Sequence, residues 1–336
     1  MCPKHHDRSR PSVTAQHLGD RLIADIGGTN ARFAWQAGPG TPLLNTQVLQ
    51  VADFPRLQDA ILSYLGSIGR GIPGAVAVAI ANPITGDQVH MTNADWSFSQ
   101  AAVKDELGLH TFRLLNDFTA LALALPDLPS TELRQVGGTT PMPRAPIALL
   151  GAGTGLGVSG LVPVGEAGWV PLSGEGGHVT LPAVTARERL VMDGLALQYG
   201  HASAERLVCG QGLLDTFGLL CRADGVAVGP IHNAAGVTDA ALKADHPQAI
   251  EALNMFCAVL GTVAGNLALT LGAHGGLYVG GGIVPRLGAW FGSSPFRARF
   301  VLKGRFHGLL ADIPVWVITS KQSPALLGAA RALDSH

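Results

Sequence analysis

The sequence predicts an α/β protein with a mixed sheet in each of two halves. Apolar runs of strand length alternate with amphipathic runs of helical length. The 336 residues, 47% of them apolar, suffice to bury a large core, and this length favours two domains. A glycine-rich hairpin near the start of each half repeats the same order of strand, turn and strand, which indicates an internal duplication.

Strands and helices alternate through the first half. Strands are predicted at 21–26, 31–36, 45–51 and 75–81. Helices are predicted at 55–67, 99–107 and 119–124, the last ended by Pro126 because proline cannot continue a helix.

The second half repeats this plan after a linker predicted at 126–146, where Pro, Gly and Thr accumulate. Its strands are predicted at 147–150, 157–164, 277–279 and 314–319. A polar, helical middle and a long apolar helix at 248–271 lie between them. Ser323 as N-cap and Pro324 at the first helical position begin the final helix, which runs through 326–333.

One apolar segment resembles a membrane span by composition. Residues 255–285 include no Asp, Glu, Lys or Arg, and Gly261 and Gly265 have the spacing of membrane helix dimers. Asn266 and His274 interrupt the segment, and no Lys/Arg asymmetry flanks it. These features favour a buried helix and strand of a globular core.

The net charge, the cysteine spacing and the N-terminal residues indicate which partners and which cellular compartment the sequence favours. A net charge of −1 with 14% charged residues gives no basic face for nucleic acid or an anionic membrane. The cysteines, at 2, 209, 221 and 257, have neither disulfide nor zinc spacing, which favours the reducing cytoplasm. Residues 1–20 have no apolar core of a signal peptide and are interpreted as a mobile extension.

The two hairpins, at 22–33 and 148–158, suit the binding of phosphate. Glycine at a hairpin tip lets backbone N–H groups approach an anion, although one such tip alone is also an ordinary tight turn. The sequence includes no P-loop motif. A Gly-x-Gly-x-x-Gly match at 155–160 leads into a strand, whereas a dinucleotide site requires a helix there.

Polar residues between apolar or glycine-rich runs are the candidates for chemistry. Asn116 and Asp117 end an apolar run, and either one is also suited to cap the following helix. Glu175 and His178 enclose two glycines, a pattern that an ordinary turn also explains. Glu205 falls in the first turn of a helix, where the helix dipole stabilises its charge.

Seven ordered motifs resemble those of the bacterial ATP-dependent glucokinases, in the actin-like ATPase superfamily. They occur at 25–32, 82–87, 91–93, 116–120, 151–157, 174–178 and 280–286, and the resemblance covers about residues 21–332. It implies a two-domain actin-like, ribonuclease H-like fold with mixed sheets flanked by helices and a central cleft. The implied parts are a small domain at 21–127, a large domain at 128–317, and a C-terminal helix at 318–336 that returns to the small domain.

The resemblance also implies the roles of individual residues. Asp117 corresponds to the catalytic base. The residues implied to bind the sugar are Asn116, Asp117, Glu175, His178 and Glu205. Those implied to bind ATP are Ala24, Asp25, Ile26, Gly27, Gly28, Thr29, Gly153, Thr154 and Gly155 at the phosphates and Gly280, Gly281 and Gly282 at the adenosine. Asp25 is implied to orient Mg²⁺ through water.

The implied activity is phosphorylation of D-glucose at the 6-hydroxyl by ATP, the first step of glycolysis, in a cytoplasmic homodimer. The alternatives are a non-catalytic sugar-sensing regulator, an actin-like ATPase, and a kinase for another hexose. Asp117 favours catalysis because a sensor needs no base, and twenty N-terminal residues are too few for a DNA-binding domain.

Overall fold

The computed structural model describes residues 19–91, 94–320 and 322–334. Most of the extension predicted at 1–20, and the motif residues Thr92 and Asn93, lie outside the described residues. The chain divides into two compact units. Of the described residues, the first unit comprises those up to Ala120 and those from Ala325 onward, and the second comprises those between Leu121 and Pro324.

Strands and helices alternate along the described chain. The strands are β1 (Arg21–Ile26), β2 (Asn30–Gln36), β3 (Leu44–Gln50), β4 (Ala75–Ile80), β5 (Gln88–His90), β6 (Ser97–Ser99), β7 (Thr111–Asn116), β8 (Leu133–Gln135), β9 (Ile147–Ala152), β10 (Leu156–Val164), β11 (Gly168–Gly174), β12 (Leu277–Gly280) and β13 (Val315–Ile318). The helices are α1 (Leu57–Ser67), α2 (Gln100–Leu107), α3 (Asp117–Ala124), α4 (Ala186–Tyr199), α5 (Ala204–Leu207), α6 (Gly210–Asp224), α7 (Ala234–Leu242), α8 (Pro247–Leu271), α9 (Trp290–Ser293), α10 (Phe296–Val301), α11 (His307–Asp312) and α12 (Pro324–Ala332). Single 3₁₀ turns occur at Val51–Asp53, Leu125–Asp127, Ser130–Glu132, Gly176–His178, Val284–Leu287 and Gly304–Phe306.

Each unit is built on a mixed sheet, and the two sheets have the same plan. The first has the order β3-β2-β1-β4-β7 and the second the order β11-β10-β9-β12-β13-β8. In each, an antiparallel three-strand meander is followed by two parallel strands. The predicted mixed α/β architecture is confirmed, and the pairing pattern shows that the repeat extends beyond the hairpins.

Helices cover both faces of the first sheet. Because side chains alternate along a strand, Leu22 and Ala24 point to one face and Ile23 to the other. The Leu22 face packs against α1 through residues that include the buried Tyr64. The Ile23 face packs against α3 and α12, and a Cβ on Gly328 of α12 would collide with the carbonyl of Ala120.

Helix α8 runs through the core of the second unit. In the part of the chain that the structure describes, it is the helix long and apolar enough to cross a membrane, and 78% of its most apolar window is buried. Gly261 and Gly265 face α10, where added Cβ atoms would meet the carbonyls of Phe296 and Phe300. The prediction of a buried core helix is confirmed, and the glycine spacing serves close helix packing inside this unit.

Candidate active site

Three parallel strands of the first sheet end at the same edge. The register aligns Ile26 of β1 with Ile80 of β4, and Ile80 with Asn116 of β7. The residues that follow these strands therefore lie at one edge, the usual place for ligands in open α/β sheets. They include the first hairpin loop, Asn82, and the pair Asn116 and Asp117.

The first hairpin loop joins β1 to β2. The Gly27 N–H donates to the Asn30 carbonyl at 2.9 Å, and the Val51 N–H donates to the Thr29 carbonyl at 2.9 Å. Gly28 also lines a cavity of about 740 Å³ within the first unit, together with Asp53 and Trp96. The loop tip therefore borders a space of the size that small-molecule sites have.

Asp25 is buried near the end of β1, with 8% of its surface exposed. The hairpin register places Arg32 directly opposite it, and the Arg32 Nη1 atom lies 3.5 Å from the Asp25 Oδ2 atom. The sequence alone assigns no role to Arg32. The turn at 27–30 indicates this pairing, because the length of a hairpin turn fixes which residues of the two strands face each other.

Asn116 and Asp117 occupy the junction of β7 and α3. The Asn116 Oδ1 atom accepts from the N–H groups of Phe118 at 2.9 Å and Thr119 at 3.2 Å, which caps α3. The Asp117 Oδ1 atom also accepts from the Phe118 N–H, at 2.9 Å. The Asn116 amide donates to the Asn82 carbonyl at 3.3 Å, so Asn82, the first residue of the motif at 82–87, supports this junction.

The second hairpin loop, at 153–155, joins β9 to β10 in the second unit. The Gly153 N–H donates to the Gly155 carbonyl at 2.8 Å, which closes the turn. The Gly153 carbonyl accepts from the Gly210 N–H at the start of α6, at 2.9 Å. Cys209 caps α6, and burial raises the pKa of its thiol, with a further upward contribution from the charge of Glu205. The thiol is therefore neutral at pH 7 beside the loop.

The glycines at 280–282 lie beside this second loop. Gly280 is aligned with Gly151 where the parallel strands β12 and β9 end. Gly281 has a φ of +79°, and a Cβ there would collide with the backbone of Ala152. Only glycine tolerates both this positive φ and this close contact, so the chain turns tightly against the end of β9.

Glu175, His178 and Glu205 form the polar side of the second unit's candidate site. Glu175 and His178 are exposed at the two ends of a 3₁₀ turn, closed by a hydrogen bond of 3.0 Å from the His178 N–H to the Glu175 carbonyl. The helix predicted around Glu205 is confirmed as α5, with Glu205 in its first turn and Ser203 as its N-cap. The His178 Nδ1 atom lies 3.9 Å from the Glu205 Oε1 atom.

Each unit thus contains a different group of the predicted site residues. The first brings residues 24–29 together with Asn116 and Asp117 at one sheet edge. The second brings 153–155, 280–282 and Glu205 together, with His178 next to Glu205. Backbone N–H groups, carboxylates, an amide and an imidazole are the groups that phosphate and sugar hydroxyls require.

Solved sugar kinases share this fold. A glucokinase from an Antarctic psychrotroph matches with a TM-score of 0.84 and 33% identity, over 94% of this chain and 99% of that one. A ROK family glucokinase from Streptomyces griseus, solved in complex with glucose and AMPPNP, matches with a TM-score of 0.61. Its identity of 20%, over 94% of this chain and 99% of that one, shows the fold alone. The fold class is therefore that of the sugar kinases.

Sequence relatives narrow this class to one family. The family described as Glucokinase matches residues 22–336. The glucokinase of Aromatoleum aromaticum is 51% identical over 320 residues, 94% of this chain and 95% of that protein. The glucokinase of Chromobacterium violaceum is 50% identical over 316 residues, 94% of this chain and 90% of that protein. The chain belongs to the glucokinase family, which confirms the resemblance found in its motifs.

A longer relative shares the same region. The bifunctional protein glk of Burkholderia pseudomallei is 46% identical over 327 residues. The match covers 97% of this chain and 50% of that protein, so the chain spans half the length of this relative.

Proposed function

We propose that this chain catalyses the ATP-dependent phosphorylation of D-glucose at the 6-hydroxyl, giving glucose 6-phosphate and ADP. Family membership across residues 22–336 is the observation that carries the proposal. Phosphoryl transfer requires an aligned acceptor, neutralised phosphate charge and a carboxylate for the acceptor's proton. The residues of the two units supply each of these groups.

Asp117 is the proposed base. The glucose 6-oxygen attacks the γ-phosphorus of ATP, the bond from that phosphorus to the β,γ-bridging oxygen breaks, and ADP leaves. The proton of the 6-hydroxyl passes to the Asp117 carboxylate. The start of α3 holds this carboxylate, because its Oδ1 atom accepts from the Phe118 N–H at 2.9 Å.

The remaining residues bind the two substrates. Asn116, Glu175, His178 and Glu205 hydrogen-bond to the sugar hydroxyls, and Asp117 also contacts the sugar. Residues 24–29 and 153–155 bind the ATP phosphates, and Gly280, Gly281 and Gly282 face the adenosine. A site of this kind rejects a sugar that lacks a hydroxyl, because one of its own polar groups then stays unpaired.

Asp25 is the residue proposed to hold Mg²⁺ through water. Its carboxylate lies beside the loop proposed to bind phosphate, and one or two carboxylates together with substrate phosphates are the usual Mg²⁺ donor set. A Mg²⁺ ion held there would neutralise part of the phosphate charge. The Arg32 guanidinium, 3.5 Å from the Asp25 carboxylate, places a positive charge beside it.

The proposal extends to organisation and location. It includes a small domain at 21–127, a large domain at 128–317 and a C-terminal helix at 318–336 that returns to the small domain. It also includes a homodimer and a cytoplasmic location, both of which rest on the family. Sedimentation of the purified protein measures the oligomeric state directly.

The experiment incubates the wild-type protein with Mg²⁺ and ATP, alone, with glucose, or with 6-deoxyglucose, and measures ADP and glucose 6-phosphate. We expect equal amounts of both products with glucose, and ADP at the no-sugar level with 6-deoxyglucose, which has no acceptor hydroxyl. Equal ADP formation with and without sugar would instead indicate an ATPase. Glucose binding without any ADP would indicate a sensor, and a higher kcat/KM for mannose would indicate a different hexose.

A further inference from the structure

Glu205 uses its two carboxylate oxygens on different neighbours. The Oε2 atom accepts from the Leu156 N–H at 2.9 Å, directly after the 153–155 loop. The Oε1 atom lies 3.9 Å from the His178 Nδ1 atom, among the residues proposed to bind sugar. The side chain is 24% exposed, so one oxygen supports the loop while the other faces the sugar-binding residues.

Two glycines make this arrangement sterically possible. A Cβ on Gly155 would collide with the Glu205 Oε2 atom, so the carboxylate reaches the loop only because residue 155 has no side chain. A Cβ on Gly177 would collide with the Leu156 carbonyl, so the 176–178 turn packs equally closely on the same residue. Leu156 is therefore where the loop meets both sugar-binding segments.

The backbone next to Glu205 is bonded to the segment that follows His178. The Ala204 N–H donates to the Val179 carbonyl at 2.9 Å, and Ser203 forms an isolated β-bridge with Thr180. Helix α5 and the segment that contains His178 are therefore joined by backbone contacts on both sides of residue 180. The Glu205 carboxylate links this pair of segments to the residue that follows the loop.

We propose that Glu205 is a positioning residue for the phosphate-binding loop and couples the affinity for sugar to the affinity for nucleotide. The inference rests on the proposed function, which assigns sugar to Glu205 and phosphate to residues 153–155. A sugar hydroxyl that donates to Oε1 fixes the carboxylate, and this strengthens the hold of Oε2 on the loop. Coupling of this kind is reciprocal, so bound nucleotide tightens sugar binding by the same factor.

The test measures AMPPNP affinity in the presence of Mg²⁺ by titration calorimetry, first without sugar and then with saturating glucose. We expect glucose to tighten AMPPNP binding by the wild-type protein, and the variants are compared in the absence of sugar. We expect Glu205→Ala to weaken AMPPNP binding about tenfold, the usual effect of losing a hydrogen bond to a charged group. Glu205→Gln keeps an acceptor oxygen for the Leu156 N–H, and we expect its AMPPNP affinity within about threefold of wild type. Glu175→Ala, the matched control among the sugar-binding residues, should weaken glucose binding and leave AMPPNP binding unchanged.

Gly155→Ala is a second variant that disrupts the contact between Glu205 and the loop but keeps the Glu205 carboxylate. The new Cβ displaces the Glu205 Oε2 atom, so we expect the same loss of AMPPNP affinity as in Glu205→Ala. Wild-type AMPPNP affinity in both Glu205→Ala and Gly155→Ala would overturn the positioning role, and a wild-type AMPPNP affinity that glucose leaves unchanged would overturn the coupling. Formation of glucose 6-phosphate by the wild-type protein is measured separately, so failure of the coupling is distinct from failure of the proposed function.

Discussion

Asn116 combines a structural role with a proposed role in sugar binding. Its Oδ1 atom caps α3 through the N–H groups of Phe118 and Thr119, and its amide donates to Asn82. From the sequence, a cap and a sugar ligand were both open interpretations of this residue. The structure confirms the cap, while sugar binding stays a prediction.

Asn116→Ala should therefore lose stability as well as glucose affinity. We expect the free energy of unfolding to fall by about 1–2 kcal/mol, the usual cost of removing an N-cap. Asn116→Asp keeps the accepting oxygen and should stay within about 0.5 kcal/mol of wild type. Urea unfolding followed by circular dichroism measures both, and equal stability of the Ala and Asp variants would contradict the capping role.

The lowered pKa of the Glu188 carboxyl makes the stability of the protein depend on pH. Burial raises the pKa of this carboxyl, but the Arg299 guanidinium at 2.5 Å and the N–H groups of Val184 and Thr185 outweigh it. The net pKa lies below the ordinary 4.5. The folded state thus binds this proton less readily than the unfolded state, so the stabilisation is present above pH 4.5 and lost as the pH falls through the folded pKa.

Glu188→Gln should remove this part of the pH dependence. We expect the variant to be about 3 kcal/mol less stable than wild type at pH 7, because it breaks a buried ion pair with Arg299. The difference should narrow as the pH falls below 4.5 through the folded pKa of Glu188, because the wild-type carboxyl then gains its proton. Urea unfolding at pH 7 and at a series of pH values below 4.5 measures the difference, and an equal loss of stability throughout would show that the ionised carboxylate contributes nothing.

At the scale of elements, prediction succeeded where the turn and cap signals were strong. The two hairpins, the long helix α8 and the final helix each have glycine or proline at their boundaries, and the structure confirms them. Strand β8 lies within the linker predicted at 126–146, and its three residues are too few to give a periodic pattern. Strand β11 includes Pro171, which argues against a strand but is tolerated here because β11 is at the sheet edge.

The contact of α8 with α10 gives a prediction for helix packing. Alanine has the higher helix propensity, yet Gly261→Ala would force a Cβ into the Phe296 carbonyl. We expect Gly261→Ala to destabilise the protein by about 1–3 kcal/mol, the usual cost of overpacking. Gly218→Ala in α6 is the control, because its Cβ would meet nothing within 4 Å, and it should add up to about 1 kcal/mol. Similar thermal shifts for both variants would contradict the proposed packing constraint.

At the scale of the whole molecule, the sequence predicted the duplicated plan but not the contacts that complete each site. The two meanders follow from the repeated hairpins, and strand periodicity reveals the parallel strands beside them. Contacts such as that between Leu156 and Glu205 join segments far apart in the chain, so no local pattern indicates them. The motifs made a prediction of the site possible, because the family resemblance implies roles for residues in all of these distant segments.

The most direct test of the central claim compares Asp117→Asn with the wild-type protein in glucose-dependent ADP formation. The amide introduced by this substitution keeps an oxygen for the Phe118 N–H but cannot take the hydroxyl proton. We expect kcat to fall at least about 100-fold while the glucose Kd changes less than about threefold. A kcat within about threefold of wild type would contradict the assignment of Asp117 as the base of a glucose-phosphorylating enzyme.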